Sequence, residues 1–247
     1  MGQNLTSRHR SISGRIAYTS KKPERFNQPR GHETFLFTHH SDGKMTLRAH
    51  CEIDEPSPSV MRDIIYSVDE TGQPMDLHVR LTVDDAFMGS GWLRFDGITI
   101  ECESYGPGIG RLSQKVQAEL PLDGFGTHPI VADGYLLGTK EWAETDGPGQ
   151  RHKFNVYLPS PDHRGATPPM ISQVKIDAVY LGNEQVTVKA GTFQTRHFQF
   201  IDDGASGMSS QHPPYDIWIT DDADAIFVQG GVGGYMMTWY ELVELVR

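Results

Sequence analysis

The sequence predicts a mainly β protein, built as an antiparallel β-barrel or a strongly curled sheet with one substantial helix at about 128–143. Three observations support this class. Short segments of alternating apolar and polar residues recur along almost the whole chain. Tight-turn sequences such as "SDGK", "ETGQ" and "DG" join several of these segments into hairpins. Links this short cannot form the long crossover that parallel strands need, so the strands are expected to run antiparallel.

The strands are expected to form a single domain over residues 32–247, preceded by a basic and partly irregular segment over residues 1–31. Hairpins are predicted for "ETFLFTHH" with "KMTLRAHCEID", for "SVMRDIIYSVD" with "PMDLHVRLTVD", and for "GWLRF" with "ITIECESY". The N-terminal segment contains one short predicted strand, "GRIAYT". Strand patterns resume after the helix and continue to the end of the chain, with no long linker between halves.

The alternation stops at "GFGTHPIVADGYLLGTKEWAE", where an apolar stripe with helical spacing begins. Thr127 is the expected N-cap, and Pro129 falls in the first turn, where its missing N–H costs no hydrogen bond. Gly134 and Gly138 lower the helix propensity of the segment. The sequence therefore predicts one helix over 128–143.

Charge and composition exclude several classes of protein. The chain has 247 residues and a formal net charge of −10, which is unfavourable for a nucleic-acid-binding domain. Residues 1–30 hold seven Lys or Arg and one acid, Glu24, so this segment is expected to fold against the acidic remainder; a membrane or nucleic-acid arm is the alternative. No stretch approaches the ~20 apolar residues of a membrane helix, and the first residues lack the apolar run of a signal peptide. We expect a cytoplasmic protein with no nucleic-acid and no membrane partner, and free thiols at Cys51 and Cys102.

The segment "PMDLHVRLTVD", residues 74–84, alternates almost without error and raises the main functional question. Asp76, His78 and Arg80 lie between apolar residues, with about 7 Å between neighbours on one face of the predicted strand. The neighbouring segment "MTLRAHCEI" repeats the pattern with Arg48 and His50. Such a row is either a solvated outer surface or the lining of a barrel lumen.

If the polar faces line the lumen, His78, Arg80, His50 and Tyr66 converge there. A neutral histidine beside a carboxylate can act as a general base, and arginine beside tyrosine can hold a developing oxyanion. The catalytic residues predicted on this interpretation are His78, Arg80, Tyr66 and His128. The substrate-binding residues predicted with them are Asp76, His50, Arg48, Arg62, Trp92 and Arg94.

Other residues have two interpretations each. Trp92 is either an aromatic clamp at the barrel mouth, with Arg94 pairing to a phenolate or carboxylate, or a tryptophan packed in the core. His128 is either a neutral donor or base at the helix start, or simply a capping-turn residue. His39 and His40 are adjacent on a predicted strand and point to opposite faces, so they cannot easily share a metal ion. No histidine or cysteine spacing is typical of a tight metal site, so no metal and no organic cofactor are expected.

The last third of the chain, residues 184–247, contains "VTVKAGTFQTRHFQF" followed by "YDIWITDDADAIFVQ". It resembles a poorly characterised bacterial family in which a strand pair carries V-x-V-x-A-G-x-F and a later strand carries I-W. Members of that family are mostly exported, rich in β structure and similar in outline to lipoprotein-carrier barrels. The resemblance implies a curled antiparallel sheet and an apolar ligand, and it supplies no catalytic residues. This chain departs from the family in showing no export signal.

The function predicted from the sequence is a cofactor-independent acid–base enzyme, of lyase or isomerase type, acting on a small aromatic or apolar molecule inside the barrel. The alternative is a non-catalytic carrier or binder of a hydrophobic ligand. A third interpretation is a structural domain that works through subunit contacts, and a homo-oligomer stays open. A carrier needs a lumen dominated by apolar residues, whereas an enzyme needs several ionisable groups pointing inward. The direction of the strand at 74–84 is expected to discriminate between them.

Overall fold

A computed structural model of the chain shows fifteen strands joined in one sheet, and it describes residues 9–126, 128–142 and 147–247. Strands β1 to β8 are neighbours in chain order, and so are β9 to β15. The two series meet where β1 pairs with β15, so β8 and β9 are the two free edges. Neighbouring strands are antiparallel except β9 and β10. The predicted class, a mainly antiparallel curled sheet with one helix, is confirmed.

The first eight strands are β1 (Arg10–Ser20), β2 (Pro29–His39), β3 (Met45–Ile53), β4 (Val60–Val68), β5 (Pro74–Val83), β6 (Ala86–Asp96), β7 (Thr99–Gly106) and β8 (Gly110–Gln117). A short 3-10 turn, Pro23–Arg25, lies between β1 and β2. The second series begins with β9 (Gly124–Phe125) and the helix α1 (Ile130–Gly138). It continues with β10 (Arg151–Leu158), β11 (Ser172–Val188), β12 (Gly191–Ile201), β13 (Tyr215–Thr220), β14 (Phe227–Val232) and β15 (Thr238–Val246).

The predicted hairpins form where their turn sequences placed them, at β2–β3, β4–β5 and β6–β7. The β5–β6 link is equally tight: Asp84 and Asp85 have positive φ angles of 47° and 62°. Two consecutive left-handed residues match the twist of the flanking strands, which favours this turn geometry in two-residue hairpins. The N-terminal segment is more regular than expected, because β1 spans eleven residues and pairs on both sides. Residues 1–8 lie outside the described part of the chain.

The inner face of the sheet carries the core, and this determines how β5 is oriented. Leu77, Val79 and Leu81 are buried in that core, while His78 and Arg80 are exposed on the opposite face. The expectation that the polar face of β5 lines a lumen is therefore wrong. The interior is filled by apolar side chains of the strands and of α1, so the polar face of β5 points outward.

The helix is shorter than the predicted range of 128–143. Pro129 occupies the N-cap position with extended backbone, and His128 has a left-handed φ of 66°, so neither residue is helical. At the other end, the Thr139 hydroxyl donates to the Leu136 carbonyl at 2.7 Å and the Trp142 indole N–H donates to the Leu137 carbonyl at 3.0 Å. These bonds satisfy carbonyls that the end of a helix leaves without partners. Thr127, the expected N-cap, and residues 143–146 lie outside the described residues.

Gly134 and Gly138 lower the helix propensity but allow α1 to pack directly on the segment before β14. A Cβ at Gly138 would lie 2.3 Å from the Ala225 Cβ, and one at Gly134 would lie 3.1 Å from the Phe227 nitrogen. These glycines are therefore explained by close tertiary packing. None of the helices in the described part of the chain has both the length and the apolar character of a membrane span.

A buried carboxylate anchors the start of α1 to the sheet. Glu33 on β2 is fully buried, and it accepts hydrogen bonds from the Ile130 N–H at 2.7 Å and the Val131 N–H at 3.0 Å. The Tyr18 hydroxyl donates to the same carboxylate at 2.9 Å, and the Cys51 thiol lies 3.5 Å away. The first N–H groups of a helix have no partners within the helix, and a negative charge there is favourable. Glu33 thus fixes the position of α1 inside the curled sheet.

Removing the Glu33 carboxylate is expected to destabilise the protein strongly. Glu33→Ala leaves two backbone N–H groups and a hydroxyl buried without partners, and each costs about 1–3 kcal/mol. Glu33→Gln retains one acceptor oxygen and should cost less. Urea unfolding followed by tryptophan fluorescence measures both changes.

The matched control for these variants is Glu101→Gln, at an exposed ion pair with Lys115 on the outer face. A surface pair of this kind contributes about 0–1 kcal/mol. Equal losses in the free energy of unfolding for Glu33→Ala and Glu101→Gln would show that Glu33 does not anchor the helix.

Candidate functional site

A cavity of about 130 Å³ lies between α1 and the inner face of the second series of strands. Most of its wall is apolar, including Ile130, Leu136, Val174, Phe200, Val232 and Met236. Six polar side chains also reach it: His128, Asp133, His163, His212, Tyr215 and Tyr240. A largely apolar cavity with a few convergent polar groups is the usual form of a small-molecule site. We call it the inner cavity.

Asp133, in the first turn of α1, is the acid of the inner cavity. Burial and then the negative charge of Glu33 raise its pKa to about 8, from an ordinary value of 3.8. The small area of Asp133 that remains accessible faces the cavity, so it does not have the solvation of a surface carboxylate. The carboxyl is therefore mainly protonated at neutral pH and can donate a hydrogen bond.

Tyr215, at the start of β13, is the nearest polar partner of that acid. Burial and then Asp133 raise its pKa well above the usual value, so the hydroxyl stays protonated. The hydroxyl is close enough to Asp133 to affect its pKa, yet it completes no hydrogen bond of standard geometry with the described residues. Because buried hydroxyls normally find a partner, this one is available to a bound molecule. Tyr240 packs edge-on to Tyr215, with 6.0 Å between ring centroids.

His128, just before α1, is held as a neutral ring. Burial, followed by the charge of Arg62, lowers its pKa to about 3. Its Nε2 lies 3.1 Å from the Ser160 carbonyl oxygen. A carbonyl can only accept, so Nε2 carries the proton and Nδ1 is the acceptor of the ring. The neutral ring agrees with both interpretations of His128, and its N–H is already donated to the Ser160 carbonyl.

Two further neutral histidines line the cavity, and they come from loops that the sequence analysis did not place near each other. Burial lowers the pKa of His212 to about 4 and also lowers that of His163. Their rings pack edge-to-face with centroids 4.9 Å apart. The Nδ1 of His163 has no hydrogen-bond partner among the described residues. The cavity therefore contains neutral donors and acceptors, with no ionised group among its polar lining at neutral pH.

The polar row of the sequence analysis lies elsewhere, in a shallow groove of about 670 Å³ on the outer face of β2 to β6. It brings together five of the predicted residues, Arg48, His50, His78, Arg80 and Trp92. Trp92 is half-buried there, so it is neither a core residue nor a clamp at an inner mouth. We call this the outer groove.

His50 in the outer groove is already paired at both ring nitrogens. Its Nδ1 lies 2.7 Å from Asp63 and its Nε2 lies 2.9 Å from Glu52. Burial disfavours the charged ring, but the hydrogen bonds to Asp63 and Glu52 outweigh it and raise the pKa. Because each ring nitrogen is hydrogen-bonded to a carboxylate, neither is free to accept a proton from a bound molecule, so the geometry does not suit a general base.

The remaining predicted residues do not converge with His78. Tyr66 is buried on the inner face, because it pairs with Leu77 and shares its orientation. Arg62 is also buried inside, near His128. Asp76 lies at a separate outer depression, and Arg94 is exposed on the outer face. Convergence of Tyr66 with His78 in a lumen is thus wrong, because a strand presents alternate residues to opposite faces.

The sequence analysis did not identify Asp133, His163, His212, Tyr215 or Tyr240 as site residues. One local signal was present for Asp133, since a carboxyl inside an otherwise apolar helical stripe requires a special environment. The others come from the segments around 159–170, 202–215 and 238–246, which only the folded tertiary structure brings together. Such convergence has no signature within any single segment.

Metal and thiol chemistry find no support in this region. The described residues contain no group of three or more His, Cys, Asp or Glu placed to hold a metal ion. Cys51 and Cys102 are both free and buried, and burial raises the pKa of Cys102 to about 11. A thiol in that state is a poor nucleophile.

Comparison with known proteins shows similarity of fold alone. No protein-family model matches the chain, and no curated protein matches it significantly. A β-barrel-like protein of the domain of unknown function DUF1849 from Brucella abortus has a TM-score of 0.60 and 14% identity, covering 95% of this chain and 96% of that one. This likeness fits a β-rich, poorly characterised group.

Two further solved structures have lower TM-scores and lower sequence identity to this chain. A DUF1089 family protein from Pseudomonas aeruginosa has a TM-score of 0.43 and 8% identity, covering 82% of this chain and 89% of that one. A protein with a YmcC-like fold from Bacteroides fragilis has a TM-score of 0.33 and 8% identity over 98% and 97% of the two chains.

Replacing Asp133 with asparagine is expected to stabilise the protein at alkaline pH. The unfolded chain loses the Asp133 proton near its ordinary pKa, whereas the folded protein retains it up to about pH 8. Folding therefore loses free energy as pH rises from about 4 to about 8. Asp133→Asn removes this loss, so its melting temperature relative to wild type should rise through that window. Each pKa unit is about 1.4 kcal/mol, or several degrees for a chain of this length.

Differential scanning fluorimetry from pH 5 to pH 9 measures this effect. The exposed turn variant Asp85→Asn is the control, since that side chain is in solvent in both states. A difference between Asp133→Asn and wild type that stays constant over this range would show that Asp133 is ionised in the folded protein.

Proposed function

We propose that the protein binds one small, largely apolar molecule in the inner cavity. The observation that carries this proposal is the cavity itself, about 130 Å³ enclosed mainly by apolar side chains. An engineered apolar cavity of about 150 Å³ in another protein binds benzene, so a single ring is the right size of ligand. The resemblance of residues 184–247 to barrels similar to lipoprotein carriers supports an apolar ligand as well.

The polar lining indicates what else the ligand carries. Asp133 as a neutral acid and the Tyr215 hydroxyl beside it are both hydrogen-bond donors at the wall of the cavity, and the hydroxyl completes no hydrogen bond of standard geometry with the described residues. A buried donor left without a partner costs about 1–3 kcal/mol. A ligand with an oxygen acceptor removes that cost, so the proposed molecule combines an apolar body with at least one carbonyl, ether or hydroxyl oxygen.

A second candidate function is acid–base catalysis on such a molecule, of isomerase or lyase type. The observation that favours it is Asp133, whose pKa of about 8 lies near neutral pH. A proton-transfer group works best when its pKa is close to the working pH. On this proposal Asp133 exchanges the proton and Tyr215 donates to the ligand oxygen, whereas His78 on the outer face takes no part.

Binding of single-ring molecules is expected to stabilise the wild-type protein, because a ligand of the folded state raises the free energy of unfolding by RT ln(1 + [L]/Kd). Acetophenone and benzyl alcohol, titrated into the protein, should raise its melting temperature in a dose-dependent way. Val174→Phe, which fills the cavity from its wall, should abolish the rise. Differential scanning fluorimetry gives the shift, and isothermal titration calorimetry gives the affinity.

The matched control is Val228→Phe, at a fully buried position outside the cavity wall. Overpacking there should lower the free energy of unfolding by about 1–3 kcal/mol. Val174→Phe places its ring in empty space and should lower it less. Ligand shifts that survive Val174→Phe would contradict binding in the inner cavity, and absence of any shift in wild type would contradict binding of this ligand class.

The catalytic candidate has its own test, exchange of the methyl protons of acetophenone in deuterated buffer. Proton removal next to a carbonyl needs a base, which is the ionised form of Asp133 that becomes abundant towards pH 8, and a donor to the oxygen, which is Tyr215. The wild-type protein should accelerate this exchange, measured by NMR. Asp133→Asn should lower the rate about 10²–10⁴-fold, the typical contribution of a proton-transfer group. Equal exchange rates with and without the protein would contradict the catalytic candidate and leave ligand binding as the proposed function.

A further inference from the structure

A small recess of about 30 Å³ adjoins the inner cavity and has a different chemical character. The two spaces share His128, Ile130, His163, Met236 and Tyr240 in their walls. The recess is also lined by three arginines, Arg30, Arg62 and Arg164. A volume of 30 Å³ holds about one water molecule, so the recess can receive only a small group.

Arg62 is the central feature of this recess. Its side chain is 3% exposed, and its Nη2 donates to the His128 carbonyl at 3.3 Å. The Cys51 thiol also lies close enough to the guanidinium to interact with it. Nε and Nη1 complete no hydrogen bond of standard geometry with the described residues, and none of the carboxylates among those residues forms an ion pair with Arg62. A buried charge without a counter-charge is strongly unfavourable. Gly165, which has a positive φ of 64° and no Cβ, leaves room for the guanidinium at this place.

The acids nearest the recess have other partners. Glu33 is occupied by the helix N–H groups and Tyr18. Asp162 accepts from the backbone N–H groups of residues 164 and 166. Glu55, 4.0 Å from Arg30, pairs at 2.9 Å with Lys22. The imidazole of His128 is neutral, so it adds no charge. Three arginines and no carboxylate of the described residues line the recess, so its wall is cationic.

We propose that the ligand of the inner cavity is a small monocarboxylate, whose apolar body fills the cavity and whose carboxylate occupies the recess beside Arg62. This inference rests on the proposed function and names its substrate class. The carboxylate accepts hydrogen bonds from the N–H groups of Arg62 that have no partner and supplies the missing counter-charge. Charge-assisted hydrogen bonds of this kind are about twice as strong as neutral ones. The recess is too small for a phosphate with its surrounding oxygens, so the size favours a carboxylate.

Benzoate and benzamide are the matched probes, because they share the ring and differ in the charge of the head group. Wild-type protein should bind benzoate at least tenfold more tightly than benzamide, measured by isothermal titration calorimetry at pH 7. Arg62→Met should reduce this ratio to about one while benzamide still binds. Arg62→Lys should give an intermediate ratio, since a point charge replaces the planar guanidinium. Arg151→Met, at an exposed ion pair on β10, should leave both affinities unchanged.

The outcomes separate this inference from the proposed function. If wild type binds benzamide as tightly as benzoate, the proposed role of the carboxylate is overturned, while the proposal of an apolar site stands. Acetate bound as tightly as benzoate overturns it too, because the ring would then contribute nothing. Failure of every ring compound to bind overturns the proposed function itself. The wild-type ratio needs no variant, so it decides the question even if Arg62→Met does not fold.

Discussion

The contact between Glu33 and the first N–H groups of α1 is the constraint on which the interior depends. It joins a strand of the first series to a helix that packs against the second series. The helix begins at this carboxylate, so the contact fixes the position of the first turn, which contains Asp133. Asp133 faces the cavity, and Gly134 and Gly138 face the segment before β14. Burial and then the charge of Glu33 raise the pKa of Asp133, so the carboxylate that positions the helix also contributes to the protonation state of Asp133.

Local sequence patterns predicted most of the sheet because hairpins are local structures. The turn sequences at "SDGK" and "ETGQ" fix their strand pairs with little help from the remainder of the chain. The pairing of β1 with β15 joins the two ends of the chain, and no local pattern indicates it. Alternation along β5 shows that the strand has two unlike faces, but it does not show which one is inside. That depends on where the apolar side chains of α1 and the other strands are placed.

The candidate site was harder to predict than the fold, for a reason visible in its residues. His128, His163 and the pair His212 and Tyr215 lie in three separate segments, and each alone is an ordinary loop or strand residue. Their low or high pKa values arise from burial, which is a property of the assembled molecule. The polar row at Asp76, His78 and Arg80 is, by contrast, conspicuous in the sequence because it lies on the solvated face. A regular polar pattern therefore indicated the outside of the sheet.

The ionisable groups of the interior differ in how their charge is compensated. This difference relates the inner cavity to its recess. Glu33 has a full set of donors, Asp133 avoids its charge by keeping a proton, and the histidines are neutral. Arg62 cannot lose its charge in this way, since a guanidinium stays protonated in proteins. An anion entering the recess would supply a counter-charge, and the recess adjoins the inner cavity, whose wall is mainly apolar. The proposed amphipathic carboxylate would meet both conditions at once, with its charged group beside Arg62 and its apolar body in the cavity.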